Sequence, residues 1–214
     1  GLLGFFKYFN FFIDSWIDLL GAIGYEQKST WTLNVILPVG ISFYTFQTMS
    51  YSLDIYHGKL KPTKNFISFA SFVSFFPQLV AGPIERASNL LPQFEKRRSY
   101  NLDNLIASTS LILLGMFKKV AVADNLSEWI EVTFSNYSDL PPLTLIMGAV
   151  FFSFQIYCDF SGYSAIALGV AKMFGFHLIE NFNKPYLSLN IKEFWSRWHI
   201  SLSSWFRDYV YIPL

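Results

Sequence analysis

The hydrophobic and polar positions of this chain form long apolar stretches separated by short polar loops. Residues 1–25 are apolar except for Lys7, Asn10, Asp14 and Asp18. Those four recur at helical spacing, so they form one polar stripe on a helix. Such a helix lies either at a membrane interface or in a bundle with the stripe inward. Residues 26–32 read as a polar loop. Residues 33–56 are long enough to cross a hydrocarbon core of ~30 Å at ~1.5 Å per residue. Pro38 and Gly40 are kink positions that a membrane bundle tolerates. The loop 57–65 carries His57, Lys59, Lys61 and Lys64, and the apolar run 66–84 is broken by Pro77, Gly82 and Pro83. That run predicts a bent span or a re-entrant segment.

Residues 85–101 read as a polar, basic loop containing Lys96, Arg97 and Arg98. Residues 104–123 predict another span, interrupted late by Lys118 and Lys119. The next predicted loop, 124–142, holds Asp124, Glu128, Glu131 and Asp139 and no basic residue. An excess of Lys and Arg marks cytoplasmic loops, which puts 57–65 and 85–101 on that side and makes 66–84 enter and return. Residues 143–178 are apolar over 36 positions, too many for one upright span. A hairpin broken at Cys158–Gly162 and one long tilted helix both fit. The tail 179–214 mixes polar, aromatic and charged residues at helical spacing. The pattern predicts an all-α, polytopic membrane helix bundle with kinked or re-entrant segments and amphipathic helices. Because residue 1 already sits inside an apolar helix and Leu214 follows a Tyr-Ile-Pro run, residues 1–214 read as a fragment of a single membrane-embedded domain, truncated at both ends.

Composition agrees. The chain is 52% hydrophobic, 20% aromatic and 14% charged, against about 25% charged in soluble domains. Its 24 Phe residues exceed what one soluble core needs and suit a surface facing lipid. A net charge of +1 leaves no nucleic-acid footprint. A single cysteine, Cys158, excludes an internal disulfide and a cysteine-based zinc site, and it reads as a small buried residue. Three histidines without an HExxH pattern offer no metal site, so none is expected.

Asp159 lies in the middle of an apolar stretch. A charge at membrane depth costs ~2.5–3.5 kcal/mol on insertion scales. Gln155, Asp159 and Tyr163 share one helix face, where they form either a polar site lining a cavity or a hydrogen-bond network locking helices together. Ser161, Ala165 and Gly169 give another face small enough for close helix approach. In the tail, one helix would carry Trp195, His199, Leu202 and Phe206 on one face, with Glu193 and Arg197 paired on another. This helix is either an interfacial one, anchored by its Trp, Tyr and Arg residues, or it holds His199 in a partly dry pocket. The ordinary imidazole pKa, near 6.5, suits proton transfer at neutral pH. His57 reads as solvated and His177 as an interface residue. Gly82-Pro83-Ile84-Glu85-Arg86 reads as a rigid turn at the membrane surface.

Several blocks together resemble the membrane-bound O-acyltransferase family, in its alginate O-acetylating bacterial branch. They are Phe154 to Ser164, Gly175-Phe176, Asn181-Phe182, Pro185-Tyr186, and the run from Phe194-Trp195 through Arg197-Trp198-His199-Ile200-Ser201 to Trp205-Phe206-Arg207-Asp208-Tyr209 and Tyr211-Ile212-Pro213. Leu3 to Phe12, Pro38 to Gln47 and Phe76 to Arg86 match in order. The resemblance implies helices around a tunnel. It also implies transfer of an acyl group, typically acetyl, from a thioester donor to hydroxyls of an exported polysaccharide such as alginate. Acetyl-CoA or an acyl carrier protein would be the donor substrate, and no cofactor would be bound.

The family's Arg-Trp-His histidine maps onto His199. A second, catalytic histidine is expected downstream of Leu214, so this fragment by itself is expected to be inactive. Asp159 would support a histidine as a carboxylate does in a triad. Gln155, Tyr163, Trp195, Arg197, Trp198, Arg207 and Asp208 would line the tunnel or contact substrate. Ala165 stands where the family often has an acidic residue. The implied setting is multi-pass in a bacterial inner membrane, with a polysaccharide acceptor and an extracytoplasmic acetyltransferase-type partner. Three rivals remain: D-alanyl transfer to teichoic acid by the same family, a polysaccharide or solute transporter, and a structural membrane subunit.

Overall fold

Helices account for nearly all the regular structure in the computed structural model, which describes residues 2–25, 40–79, 82–98 and 101–214. The expected loop 26–32, the start of the second span at 33–39 with Pro38, and the side chain of Lys7 lie outside the described residues. Helix α1 covers Leu2–Ala22 and α2 covers Ile41–Tyr56. The run 66–84 breaks into α3 (Phe66–Val73) and the single turn α4 (Phe76–Leu79). Asn65 caps α3 by accepting from the backbone N–H groups of Ile67 and Ser68, at 3.0 and 3.2 Å.

The basic loop expected at 85–101 is instead largely helix α5, Ala87–Glu95. The signal was present in the spacing of Ala87, Leu90 and Leu91, all buried, which is the i, i+3, i+4 pattern of a helix face. Helix α5 packs back on α3, so this part of the chain turns around. Phe72, Phe75, Ala87, Leu90, Leu91, Ala171 and Phe176 form the apolar core at this point.

Helix α6 (Leu102–Met116) runs through a π-helical stretch, Phe117–Asp124, into α7 (Asn125–Ser135). The whole forms one apolar rod of 34 residues. The loop expected to begin at residue 124 therefore starts one long helix later. The acidic residues Glu128 and Glu131 had suggested a loop, yet they lie on the exposed side of α7. Helix α8 (Pro142–Met173) is continuous over 32 residues, which decides between the two readings of 143–178 in favour of one long helix. At ~1.5 Å per residue each rod is about 50 Å long, well beyond the ~30 Å apolar thickness of a bilayer. Within the apolar window of each rod only 11% of residues are buried, and Phe117, Trp129, Leu143 and Ile146 stand more than half exposed. An apolar surface of that extent suits lipid rather than water.

The two rods run antiparallel and touch through small residues. A Cβ added to Gly115 would lie 2.6 Å from the Gly162 carbonyl oxygen, and one added to Gly169 would lie 2.7 Å from the Ser108 carbonyl oxygen. Ser161, Ala165 and Gly169 are buried on this small-residue side of α8, where Gly162 makes the closest approach. Helix α8 ends at Gly175, whose φ of 76° is left-handed. The chain then passes through a 3₁₀ turn (Pro185–Leu187) to the short helices α9 (Ile191–Arg197) and α10 (Ile200–Phe206), and closes with a π turn, Arg207–Tyr211.

Candidate active site

The tail does not form the single helix expected from its spacing. Trp198 leaves α9 in extended conformation, and His199 follows with φ 45° and ψ 55°. A left-handed backbone is costly for a residue with a Cβ, on the order of 1–2 kcal/mol, so something must hold it. The holder is the segment 181–183. Phe182 pairs with Trp198 in an antiparallel bridge. The Asn183 N–H donates to the Arg197 carbonyl, and the Ile200 N–H donates to the Asn181 carbonyl, both at 3.0 Å. Asn181, 1% exposed, adds its side chain. Its Oδ1 accepts from the Ser201 N–H at 3.2 Å, and its Nδ2 donates to Ser164 Oγ of α8 at 3.4 Å. The His199 backbone is thus clamped on both sides. The two-helix break also separates Trp195 from His199, so the expected shared face does not exist.

The His199 ring packs edge-on against Phe160 of α8, with ring centres 4.6 Å apart. Phe160 in turn meets Phe182, and Phe182 meets Trp198. Tyr157, Tyr186 and Phe194 continue the aromatic wall around Trp198. Inside this wall His199 Nε2 is buried and has no hydrogen-bond partner among the described residues. Burial lowers the imidazole pKa from 6.5 to about 4, because water that would stabilise the cation is excluded. His199 is therefore neutral at physiological pH, with one ring nitrogen free to meet a ligand.

Asp159 is not the partner of that imidazole. Its carboxylate meets Lys119 Nζ at 2.7 Å, and the same ammonium meets Asp124 at 2.7 Å. Lys119 also lies 5.6 Å from the centre of the Tyr163 ring. The π-helical register explains the arrangement, because its wider turn brings residues 119 and 124 onto one side. The expected face of Gln155, Asp159 and Tyr163 thus exists, but an ion pair across the two rods dominates it, and Gln155 has no hydrogen bond to Asp159.

The remaining candidates lie elsewhere. Arg197 pairs with Glu193 one turn earlier, as the spacing required. Trp195 and Arg207 line a separate hollow of about 320 Å³ on the outer side of α9 and α10. Asp208 pairs with Arg86 and with Arg207, and the two guanidinium groups hold its carboxyl below the usual range, with Arg207 the stronger influence. The Arg86 guanidinium sits over the Tyr209 ring, and the Tyr209 hydroxyl donates to Asp54 of α2 at 2.8 Å.

The turn 82–86, read from sequence as a surface feature, is interior. Glu85 is 1% exposed and accepts from the Ile179 N–H and from Asn89 Nδ2. Desolvation raises its pKa above the ordinary 4.5. The Ile84 N–H donates to Ser201 Oγ at 3.0 Å. The turn therefore ties the 176–179 segment, α5 and α10 together behind His199. Sequence reasoning missed Asn181, Phe160, Glu85 and Lys119. Only Glu85 and Lys119 carried a signal, as charges within or beside apolar runs.

With this geometry in hand, comparison with known proteins is informative. The family description for membrane-bound O-acyltransferases matches residues 59–214. The probable alginate O-acetylase AlgI of Azotobacter vinelandii is 44% identical over 213 residues, covering 100% of this chain and 42% of that protein. The peptidoglycan O-acetyltransferase of Helicobacter pylori is 39% identical over 239 residues, covering 100% of this chain and 44% of that protein. The teichoic acid D-alanyltransferase of Bacillus subtilis is 32% identical over 181 residues, covering 84% of this chain and 46% of that protein. The chain thus spans less than half the length of these relatives.

Proposed function

The chain belongs to the membrane-bound O-acyltransferase family, and we propose that it takes part in moving an acyl group, acetyl by preference, from a thioester donor to hydroxyls of an exported polysaccharide such as alginate. The observation that carries this reading is His199, neutral by burial and presenting an unpartnered Nε2 from an aromatic pocket. The higher identity to the O-acetylase and the O-acetyltransferase than to the D-alanyltransferase supports acetyl.

Acyl transfer to a sugar hydroxyl requires a base for the alcohol and stabilisation of the thioester oxyanion. A buried imidazole with a pKa of about 4 is a weak resident base. It is well suited to orienting a hydroxyl or a thioester carbonyl through a neutral ring nitrogen. We assign the proton-abstracting step to the second family histidine, outside the residues described. Asp159 serves by holding Lys119 across the rods rather than by fixing an imidazole tautomer. The donor is acetyl-CoA or an acyl carrier protein thioester. The setting is a bacterial inner membrane crossed several times, with an extracytoplasmic acetyltransferase-type partner.

The test replaces His199 by Ala and by Gln in the full-length protein, with polymer acetylation and membrane abundance both measured. The proposal expects normal abundance for His199→Gln and acetylation lowered at least ~100-fold, the scale of a lost positioned acid–base or orienting group. A variant made at normal levels that acetylates near the parent rate would show that His199 is scaffolding.

A further inference from the structure

Next to the paired Lys119 stands a second cation in a different situation. Lys118 is at the middle of the 34-residue apolar rod Leu102–Ser135. It has no ion pair among the described residues, and its ammonium lies 5.6 Å from the centre of the Tyr157 ring. A cation in the middle of an apolar span is costly unless something compensates it. A single aromatic face at this distance offsets only part of that cost.

Lys118 lines a half-open cleft of about 180 Å³ between α6, α8 and the 180–182 segment. Ser161 also lines it, 4% exposed, its Oγ near the Tyr157 hydroxyl and without a hydrogen bond of normal geometry among the described residues. The polar lining also includes Tyr157, Ser164, the exposed Glu180 at the mouth, and Asn181, which clamps the His199 backbone. The apolar lining is Leu111, Leu114, Ala165, Leu168 and Phe182. The antiparallel register of the rods sorts these residues along the helix axis. Gly169 packs on Ile112, while Gly162 packs on Gly115 and the Lys119 backbone. Leu111 and Leu168 therefore sit at one level, and Lys118 and Ser161 sit about seven residues away, ~10 Å along the axis. The cavity is a slot with a charged, hydroxyl-bearing end and an aliphatic end. At ~30 Å³ per water it has room for about six waters, which suits a short acyl chain.

We propose that this slot receives the short acyl group being transferred, its carbonyl oxygen toward Lys118 and Ser161 and its alkyl end toward Leu111 and Leu168. The proposal rests on the acyl-transfer reading above and adds the determinant of acyl length. The unpaired Lys118 cation and the Ser161 hydroxyl meet the carbonyl oxygen, and the leucines set where the chain must end. Asn181 links the slot wall to the segment that fixes His199, so filling the slot and presenting the histidine use one framework.

The experiment uses full-length protein in proteoliposomes. Acetyl, butyryl and hexanoyl groups are each presented on coenzyme A and on acyl carrier protein, and transfer to polysaccharide is measured. The parent should favour acetyl. Leu168→Ala and Leu111→Ala should each raise the hexanoyl-to-acetyl ratio of kcat/KM by tenfold or more, the scale of a few methylenes in an apolar pocket. Lys118→Met should raise the KM of every donor about tenfold. Unchanged length selectivity in both leucine variants, at normal membrane abundance, overturns the slot assignment. A parent inactive with every donor sinks the acyl-transfer reading instead. The slot is then judged by saturable binding of radiolabelled butyrate to purified protein, which should be lost in Lys118→Met; no such binding overturns the slot as well.

Discussion

Acidification should destabilise this fold through His199, and the size of the effect follows from its burial. The perturbation is a fall from about pH 7.5 to about pH 5, applied to the parent and to His199→Gln. Burial lowers the His199 pKa from 6.5 to about 4. The unfolded chain therefore takes up a proton that the folded one refuses. Stability is complete above the unfolded pKa of 6.5, declines as pH falls through it, and levels off only below about 4. At about 1.36 kcal/mol per pKa unit the full effect would be about 3.4 kcal/mol, and solvent reaching part of the ring reduces it to roughly 1–2. Between pH 7.5 and 5 we expect about 1 kcal/mol, or ~2–4 °C in Tm for a chain of this size.

The assay is thermal unfolding in detergent followed by tryptophan fluorescence. Glu85 works in the opposite direction, since burial raises its pKa and its folded form gains stability as pH falls. His57 and His177 are exposed. All three are common to both proteins, so the difference between the two acid-induced shifts isolates His199. Identical shifts in parent and variant would refute the claim that the ring is held neutral by burial.

Three further expectations follow from the packing. Gly115→Ala should cost ~1–3 kcal/mol, seen as a lower Tm and reduced monodisperse yield, because the new methyl would meet the Gly162 carbonyl at 2.6 Å and the Ile166 nitrogen at 2.9 Å. Lys119→Met should destabilise more than Asp124→Asn in the same thermal assay, by ~2 kcal/mol, because the first leaves Asp159 without its cation while the second leaves the Lys119–Asp159 pair in place. Glu85→Ala should lose ~1–3 kcal/mol by stranding the half-buried Ile179 N–H, whereas Glu85→Gln, which keeps an acceptor oxygen, should melt close to the parent.

Apolar run length made the two rods legible in the sequence, and the small-residue face of α8 announced their contact. What the sequence misplaced has one physical origin, the competition between local polarity and periodicity. Residues 85–101 looked like a loop because Lys96, Arg97 and Arg98 cluster at its end, yet Ala87, Leu90 and Leu91 had a core to bury into. Residues 124–135 looked like a loop because of their carboxylates, yet α8 packs on this helix and buries Ile130 and Thr133. At Asp159 the charge was legible and its partner was not, since Lys119 lies 40 residues earlier and reaches it only through the π register.

The tail shows why a functional residue can defeat a periodicity argument while remaining visible as chemistry. Trp195, His199, Leu202 and Phe206 fit one helical face, and local preference alone would keep the helix going. The long-range pairing of 181–183 with 197–200 breaks it, because Asn181 and Asn183 offer the backbone better-placed partners than a further helical turn would. The strain of a left-handed histidine is met by those bonds and by burial of its ring against Phe160. This arrangement has a consequence that an uninterrupted helix would lack. A helical His199 would follow α9 wherever that short, exposed helix moved, whereas the clamped His199 is fixed to α8 and the turn 82–86. The imidazole is thereby tied to α8, the rod that forms one wall of the Lys118 slot, so the histidine and the slot share one rigid element.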